Sequence, residues 1–266
     1  MEKRKGRTLS KKILVIPDAQ VRPGSPIQHL VHAGKYAVEK KPDVIVCLGD
    51  WADMPSLSSY DVGKKSFEGR MYIEDIRAAK EAMQAFLAPI REEQARLIRN
   101  KEKRWNPRLV LTLGNHEHRI SRAVENDRKL EGLIKTEDLE YEKFGWEVYP
   151  FLEPVTIDGV VFCHYFTSGV LGRPVTTASA LISKKHQSCI AGHQQGRQVA
   201  YGTKADGSTL TSMIIGSFYT HDEEYMGVQG NKHYRGCVML HEVKDGSFDE
   251  MFLSVDFFTK KYGDSV

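Results

Sequence analysis

Five short runs, rich in β-branched residues and apolar nearly throughout, recur at 13–17 (ILVIP), 43–49 (DVIVCLG), 108–114 (RLVLTLG), 159–164 (GVVFCH) and 188–193 (SCIAGH). Runs of this length predict buried strands, and their near-continuous apolarity predicts sheets covered on both faces. Between the first two, HLVHAGKYAVEK (29–40) has the apolar spacing of a crossover helix, which makes a βαβ unit. The Gly-, Ser- and charge-rich stretch MPSLSSYDVGKKSFEGR (54–70) reads as a surface loop. A long helix is predicted over 72–103, with Ile73, Ile76, Met83, Phe86, Leu87 and Ile90 on its apolar face and Pro89 kinking or dividing it. A further helix is expected over 119–133. Near the end, CVMLHEV, then KDGS, then FDEMFLSVDFF read as a hairpin. The expected architecture is a basic N-terminal arm over 1–12, then a single α/β domain over 13–266 with mixed sheets.

What ends each strand carries the chemistry. Asp18 follows the first run, Asp50 the second, Asn115 the third, His164 closes the fourth and His193 follows the fifth. Residues just beyond strand carboxyl ends converge on a common crevice in α/β folds. Glycine precedes three of them, at Gly49, Gly114 and Gly192, where the chain can turn sharply and approach a ligand closely. Taken singly, an Asp or Asn at a strand end is also an ordinary turn former. Two carboxylates, a carboxamide and two imidazoles in one recurring context instead suit Mn, Fe, Zn or Mg.

The segments Asp18-Ala-Gln20, Gly49-Asp50-Trp-Ala-Asp53, Gly114-Asn115-His116-Glu117, His164 and Gly192-His193-Gln-Gln195 resemble the five ordered motifs of the calcineurin-like metallophosphoesterases. The likeness spans roughly residues 13–195, and the GDxxD and GNHE segments are its most specific part. The insertion at 58–70 and the tail at 235–246 also resemble family members encoded by bacteriophages. The resemblance implies a layered α/β/β/α sandwich and a two-metal site. Asp50 would bridge the metals, one of them also held by Asn115, His164 and His193, the other by Asp18, Gln20 and Gln195. A hydroxide between them would attack phosphorus, His116 would assist the leaving oxygen, and Asp53 would orient His116. Two divalent cations against two carboxylates leave positive charge for a phosphate, and coordination lowers the pKa of water from about 15.7 to near 7.

Gln20 and Gln195 depart from the family pattern, which carries histidine at both places. Both fall on the same metal, whose site is expected to be oxygen-rich, weakly occupied and inclined to Mn²⁺ or Mg²⁺ over Zn²⁺. His186 and His221 are spare histidines near enough in sequence to compensate, and Gln194 is an alternative to Gln195. Glu117 and His118 read as the start of a helix, where acids commonly cap. Arg119 and Arg122, on that helix, are within reach of a substrate phosphate but read as solvent-exposed.

Composition adds little. A net charge of +3 over 266 residues names no partner. Locally, Arg96, Arg99, Lys101, Lys103, Arg104 and Arg108 crowd one stretch, either a solvated helix end or a phosphate-backbone surface. Cys47, Cys163, Cys189 and Cys237 each lie in an apolar run without CxxC spacing, so they read as small buried hydrophobes. No apolar run approaches the roughly 18 residues of a membrane span, and the N-terminal stretch does not read as a signal peptide. The expected setting is cytoplasmic, the host cytoplasm for a phage-encoded chain. The expected function is a metal-dependent phosphodiesterase with DNA among its substrates. The alternatives are a phosphomonoesterase on nucleotides, DNA ends or phosphoproteins, and a degenerate single-metal binding or scaffold protein. Oligomeric state is not legible.

Overall fold

The computed structural model describes residues 10–223 and 226–263. In chain order its elements are β1 (Lys11–Ile16), α1 (Gln28–Lys40), β2 (Val44–Cys47), α2 (Tyr72–Arg99), β3 (Arg108–Thr112), α3 (His118–Asn126) and β4 (Glu147–Tyr149). There follow β5 (Val155–Ile157), β6 (Val160–Cys163), the two-residue β7 (Thr167–Ser168) and β8 (Arg173–Pro174), α4 (Ala178–Lys185), β9 (Cys189–Ala191), β10 (Arg197–Thr203) and β11 (Thr209–Ile215). The short α5 (Gly227–Gly230), β12 (Gly236–Lys244), β13 (Ser247–Ser254) and α6 (Val255–Tyr262) complete the order.

The strands form two main sheets, β13-β12-β1-β2-β3-β4 and β10-β11-β9-β6-β5, with β7 and β8 as a separate hairpin. Strands β1 to β4 are parallel, β12 joins β1 antiparallel, and β13 pairs antiparallel with β12 at the edge. In the second sheet β6, β9 and β11 are parallel, flanked by antiparallel β5 and β10. Side chains alternate across a strand, so β1 sends Leu14 and Ile16 to one core and Ile13 and Val15 to another. The first core joins the sheet to α1, α2 and α6 through Tyr36, Met83, Phe86 and Phe258. The second lies between the sheets and includes Val46, Val110, Phe162, Ile190 and Val238. The third packs Leu181 of α4 under Val161, Ala191 and Ile214. Helix, sheet, sheet, helix is therefore the layer order, the mixed α/β sandwich expected.

Several local expectations are corrected. Of the arm expected over 1–12, residues 1–9 lie outside the described residues, and Lys11 and Lys12 open β1 instead of preceding it. Helix α2 runs unbroken through Pro89. Buried Phe86, Leu87 and Ile90 hold both halves against the core, and Gly34 of α1 brings its backbone against the Phe86 carbonyl and the Pro89 ring. It ends at Arg99 and not 103, because Lys101 turns left-handed (φ 55°) and Glu102 N–H returns to the Leu97 carbonyl. Ile73, assigned to the apolar face, is 64% exposed. Helix α3 stops at Asn126, since Asp127 leaves helical geometry and caps a separate turn by accepting from Lys129 N. The predicted hairpin forms between β12 and β13 over left-handed Asp245 and Gly246 (φ 52° and 85°). The end of its second run instead becomes α6, capped by Ser254 Oγ accepting from Phe257 N. All four cysteines are buried free thiols.

Candidate functional site

The loops after β1 and β2 are zipped together by backbone. Gln20 N donates to Asp50 O at 2.8 Å, Val21 N to Trp51 O at 2.8 Å and Asp53 N to Val21 O at 2.9 Å. Two glycines make room for carboxylates here. A Cβ on Gly114 would lie 2.1 Å from Asp50 Oδ1, and one on Gly192 would lie 2.3 Å from Asp18 Oδ1. Three non-glycine residues of this crevice, Gln20, Asp50 and His193, hold left-handed φ values of 42°, 47° and 67°. Such strain of order 1–3 kcal/mol each persists only where the surroundings over-determine the backbone.

Asp50, His164 and His193 present ligand atoms all within 4.8 Å of one another, a group able to hold a metal ion among the described residues. His164 fixes the chemistry of that group. Its Nδ1 lies 2.8 Å from the Leu48 carbonyl, which only accepts, so Nδ1 carries a hydrogen and Nε2, whenever the ring is neutral, presents its lone pair. That lone pair faces Asn115 Oδ1 at 2.9 Å and Asp50 Oδ2 at 3.3 Å. A nitrogen and two oxygens converge on one point, which a proton on Nε2 or a metal cation would satisfy. The same demand shows in ionisation. Burial opposes a charge on His164, yet Asp50 overrides it and the ring is pushed up to about 9. His193 goes the other way, down to about 4, through burial and the neighbouring His164, and so stays a neutral donor. Asp50 feels burial as an upward pull, but His116 and His164 carry it below the usual carboxylate range. The residues fit a divalent cation.

Asp18 is fully buried and accepts from His193 N at 3.1 and 3.0 Å through its two oxygens. Burial pushes its carboxyl up to about 8, with His164 pulling it down and Asp50 adding to the rise. A cation at Asp18 would remove that penalty. Gln20 is 5% exposed and tied to Asp50 through its backbone, and Gln195 follows the tight Gly192–Gln194 turn. The two spare histidines are placed differently. His186 caps the end of α4 before β9, the opposite end of that strand from His193. His221 Nε2 sits 2.9 Å from Glu223 Oε1.

His116 N donates to Asp50 Oδ1 at 2.8 Å, and its ring Nδ1 lies 2.9 Å from Asp53 Oδ1. Burial raises the Asp53 carboxyl, but His116, Arg119 and Arg22 together hold it below its ordinary value. Two residues that the sequence left aside belong here. Glu117, expected at the start of a helix and standing at the N-cap of α3, is fully buried and accepts from Asp50 N (2.9 Å), Ala52 N (3.0 Å), Gly114 N (2.9 Å) and Tyr141 OH (3.3 Å). Its back-bond to Gly114, three residues earlier, has capping-box spacing, a signal legible in GxxE. Arg119, read as exposed, donates from Nη1 to Asp53 O at 2.7 Å and from Nη2 to His116 Nε2 at 3.1 Å. Arg22 approaches the other Asp53 oxygen at 3.6 Å and Glu223 at 3.3 Å.

The basic stretch lies elsewhere. Arg108 opens β3 while Asn115 follows its other end, so a five-residue strand, roughly 15 Å long, separates cluster from site. Arg108 also pairs with Glu147 at 2.7 Å, and Arg96 with Glu93 and Glu102, both at 2.6 Å.

Among known families, the model of the calcineurin-like phosphoesterases matches residues 11–194, more than half of the chain, in a family of phosphoric ester hydrolases that work with divalent metals. Comparison with curated proteins gives no match. No helix among the described residues is long and apolar enough to cross a membrane.

Proposed function

The chain belongs to the calcineurin-like phosphoesterase family, and we propose that it hydrolyses phosphodiesters, DNA among them, at a centre holding two divalent metals. His164 carries this reading: with Nδ1 committed to Leu48 O, its Nε2 converges with Asn115 Oδ1 and Asp50 Oδ2, and with His193 close by, on a point suited to a metal cation. Asp50, Asn115, His164 and His193 would hold one metal, and Asp18, Asp50, Gln20 and Gln195 the other, with Mn²⁺ or Mg²⁺ favoured at the oxygen-rich side. Bound divalent cations supply Lewis acidity toward phosphoryl oxygen and lower the pKa of coordinated water.

The protein's own groups do the rest. Asp53, held ionised beside His116 Nδ1, fixes the imidazole orientation and stabilises positive charge on it. His116 reaches the metal ligands through Nε2, 3.8 Å from Asp50 Oδ2, the ring nitrogen placed to handle the leaving oxygen. A diester carries one negative charge and so asks less of a first site built from carboxylates and neutral amides. Nucleic acid as the diester in question rests on the expected likeness of the segments at 58–70 and 235–246 to phage-encoded members. A second reading, monoester hydrolysis, is favoured by the guanidinium of Arg119 beside His116, since a dianion gains more from it.

The test compares bis-p-nitrophenyl phosphate, p-nitrophenyl phosphate and single- and double-stranded DNA with Mn²⁺, Mg²⁺ or chelator. Metal-dependent diester turnover that drops about 10²- to 10⁴-fold in His116→Ala supports the proposal. A strong monoester preference supports the second reading, and no turnover with any metal leaves only a binding protein.

A further inference from the structure

We propose that Arg119 is a phosphate-binding residue of this site, and that the substrate's phosphoryl group draws its guanidinium away from His116. The inference rests on the phosphoesterase reading above.

Arg119 begins α3 one residue after His118, so its side chain folds back over the helix start toward His116, three residues earlier, whose carbonyl accepts the Arg119 N–H at 3.1 Å. Its two terminal nitrogens have different tasks. Nη1 is anchored on the backbone, donating to the carbonyls of Asp53 (2.7 Å) and Met54 (3.3 Å), and lies 3.7 Å from Asp53 Oδ1. Nη2 donates to His116 Nε2 at 3.1 Å. A guanidinium nitrogen is always a donor, so Nε2 is the acceptor and the ring hydrogen sits on Nδ1 beside Asp53. Nε2 is also the ring atom that faces Asp50. Arg119 therefore occupies the one imidazole position from which His116 can serve a leaving group.

Productive use of His116 requires Nη2 to find another acceptor while Nη1 stays on its two carbonyls. A phosphoryl oxygen held between the metal ligands and His116 is an acceptor within a small pivot of Nη2. The resulting charge-assisted hydrogen bond is stronger than one to neutral imidazole. The side chain is 16% exposed, so the exchange opens toward the crevice without unpacking the helix. Arg22 is placed differently: its guanidinium is shared between Asp53 Oδ2 and Glu223, which balances its charge before any substrate arrives.

Inorganic phosphate is the probe. Its inhibition constant against bis-p-nitrophenyl phosphate and its binding by calorimetry would be measured on the Mn²⁺-loaded wild type, Arg119→Ala, Arg119→Lys and, as a control on the exposed face of the same helix, Arg122→Ala. Metal content and circular dichroism would be followed in parallel. Phosphate affinity should fall about 10- to 100-fold in Arg119→Ala, partly return in Arg119→Lys and stay unchanged in Arg122→Ala, with metal content constant. Phosphate affinity equal to wild type in a folded, metal-loaded Arg119→Ala would overturn the proposal, whatever happens to kcat. A wild type that binds phosphate but hydrolyses no ester sinks the hydrolase reading alone, and Arg119 is still judged by the affinities. A wild type that binds no phosphate overturns the Arg119 proposal itself.

Discussion

The Glu117 carboxylate accepts the backbone N–H of Asp50 at 2.9 Å, so the residue proposed to bridge two metals is held in place by a fully buried acid. The same carboxylate takes Ala52 N and Gly114 N, clamping the turn after β2 to the turn after β3. Glu117→Gln keeps the size but replaces one accepting oxygen with an NH₂, turned either toward Ala52 N or toward Asp50 N and Gly114 N. Leaving buried donors unmet costs about 1–3 kcal/mol each, and supporting partners of metal ligands are typically worth about 10- to 100-fold in metal affinity. The variant is expected to melt lower and to bind Mn²⁺ about 10- to 100-fold more weakly by calorimetry. Wild-type metal affinity in a folded Glu117→Gln would show that the clamp serves stability alone.

Glu117 also marks where sequence reasoning stopped. The strands were legible because burial on both faces leaves them apolar throughout, and the ligand candidates because each directly follows such a strand. Asp18, Asp50, Asn115, His164 and His193 needed no more than that. The burial of Glu117 and the inward fold of Arg119 were not legible because they depend on side chains folding back across the start of α3, and a list of strand ends does not record that. The basic stretch was ambiguous for a related reason. Its residues are adjacent to β3 in sequence, but only the strand direction shows that they sit at the end away from Asn115. Helix ends failed at single residues: left-handed Lys101 and capping Asp127 stop helices that the apolar pattern would have continued.

The Gln20 and Gln195 side of the centre is expected to fill second. Neutral amide oxygens donate more weakly than imidazole, while the His164 and His193 side keeps two nitrogen ligands. Titrating Mn²⁺ into chelator-treated protein should give one tight and one weaker equivalent, and Gln20→His should tighten the weaker one and shift it toward Zn²⁺. Two equal, tight equivalents in the wild type would contradict this. Thermal stability should rise as each site loads, by about 2.7 kcal/mol at one hundred times the dissociation constant.

His29 predicts a pH dependence away from the metals. Its Nε2 lies 2.7 Å from the Phe218 carbonyl, and its Nδ1 is buried without a hydrogen-bond partner. Burial lowers it from 6.5 to about 4, with Phe218 opposing the shift and nearby His221 and His32 adding to it. Between pH 6.5 and 4 the unfolded chain therefore binds a proton that the folded chain refuses. Its contribution is complete above about pH 6.5 and shrinks as the pH falls toward 4, by on the order of 3 kcal/mol. Unfolding midpoints in urea from pH 8 to 4 should show this loss in wild type. His29→Gln, which keeps a donor for Phe218, should have a slope shallower by about one proton. Parallel slopes would mean that His29 does not titrate between the two states.

The cluster from Arg96 to Arg108 is expected to be silent in catalysis, even on DNA. Arg96 and Arg108 are already paired with Glu93, Glu102 and Glu147, and the whole stretch lies a strand's length from the crevice. A phosphate backbone entering at Asp50 and His116 would meet Arg119 and Arg22 first. A contact that neutralises one DNA phosphate changes the slope of log affinity against log salt by about 0.9 for duplex and 0.7 for single strands. Neutralising Arg99, Lys101, Lys103 and Arg104 together should leave both that slope and DNA turnover at wild-type values. Arg119→Ala should weaken DNA binding and flatten the slope by about one contact. If the quadruple variant flattens the slope by several contacts, the DNA path runs along the far end of β3, and a substrate path through the crevice alone is ruled out.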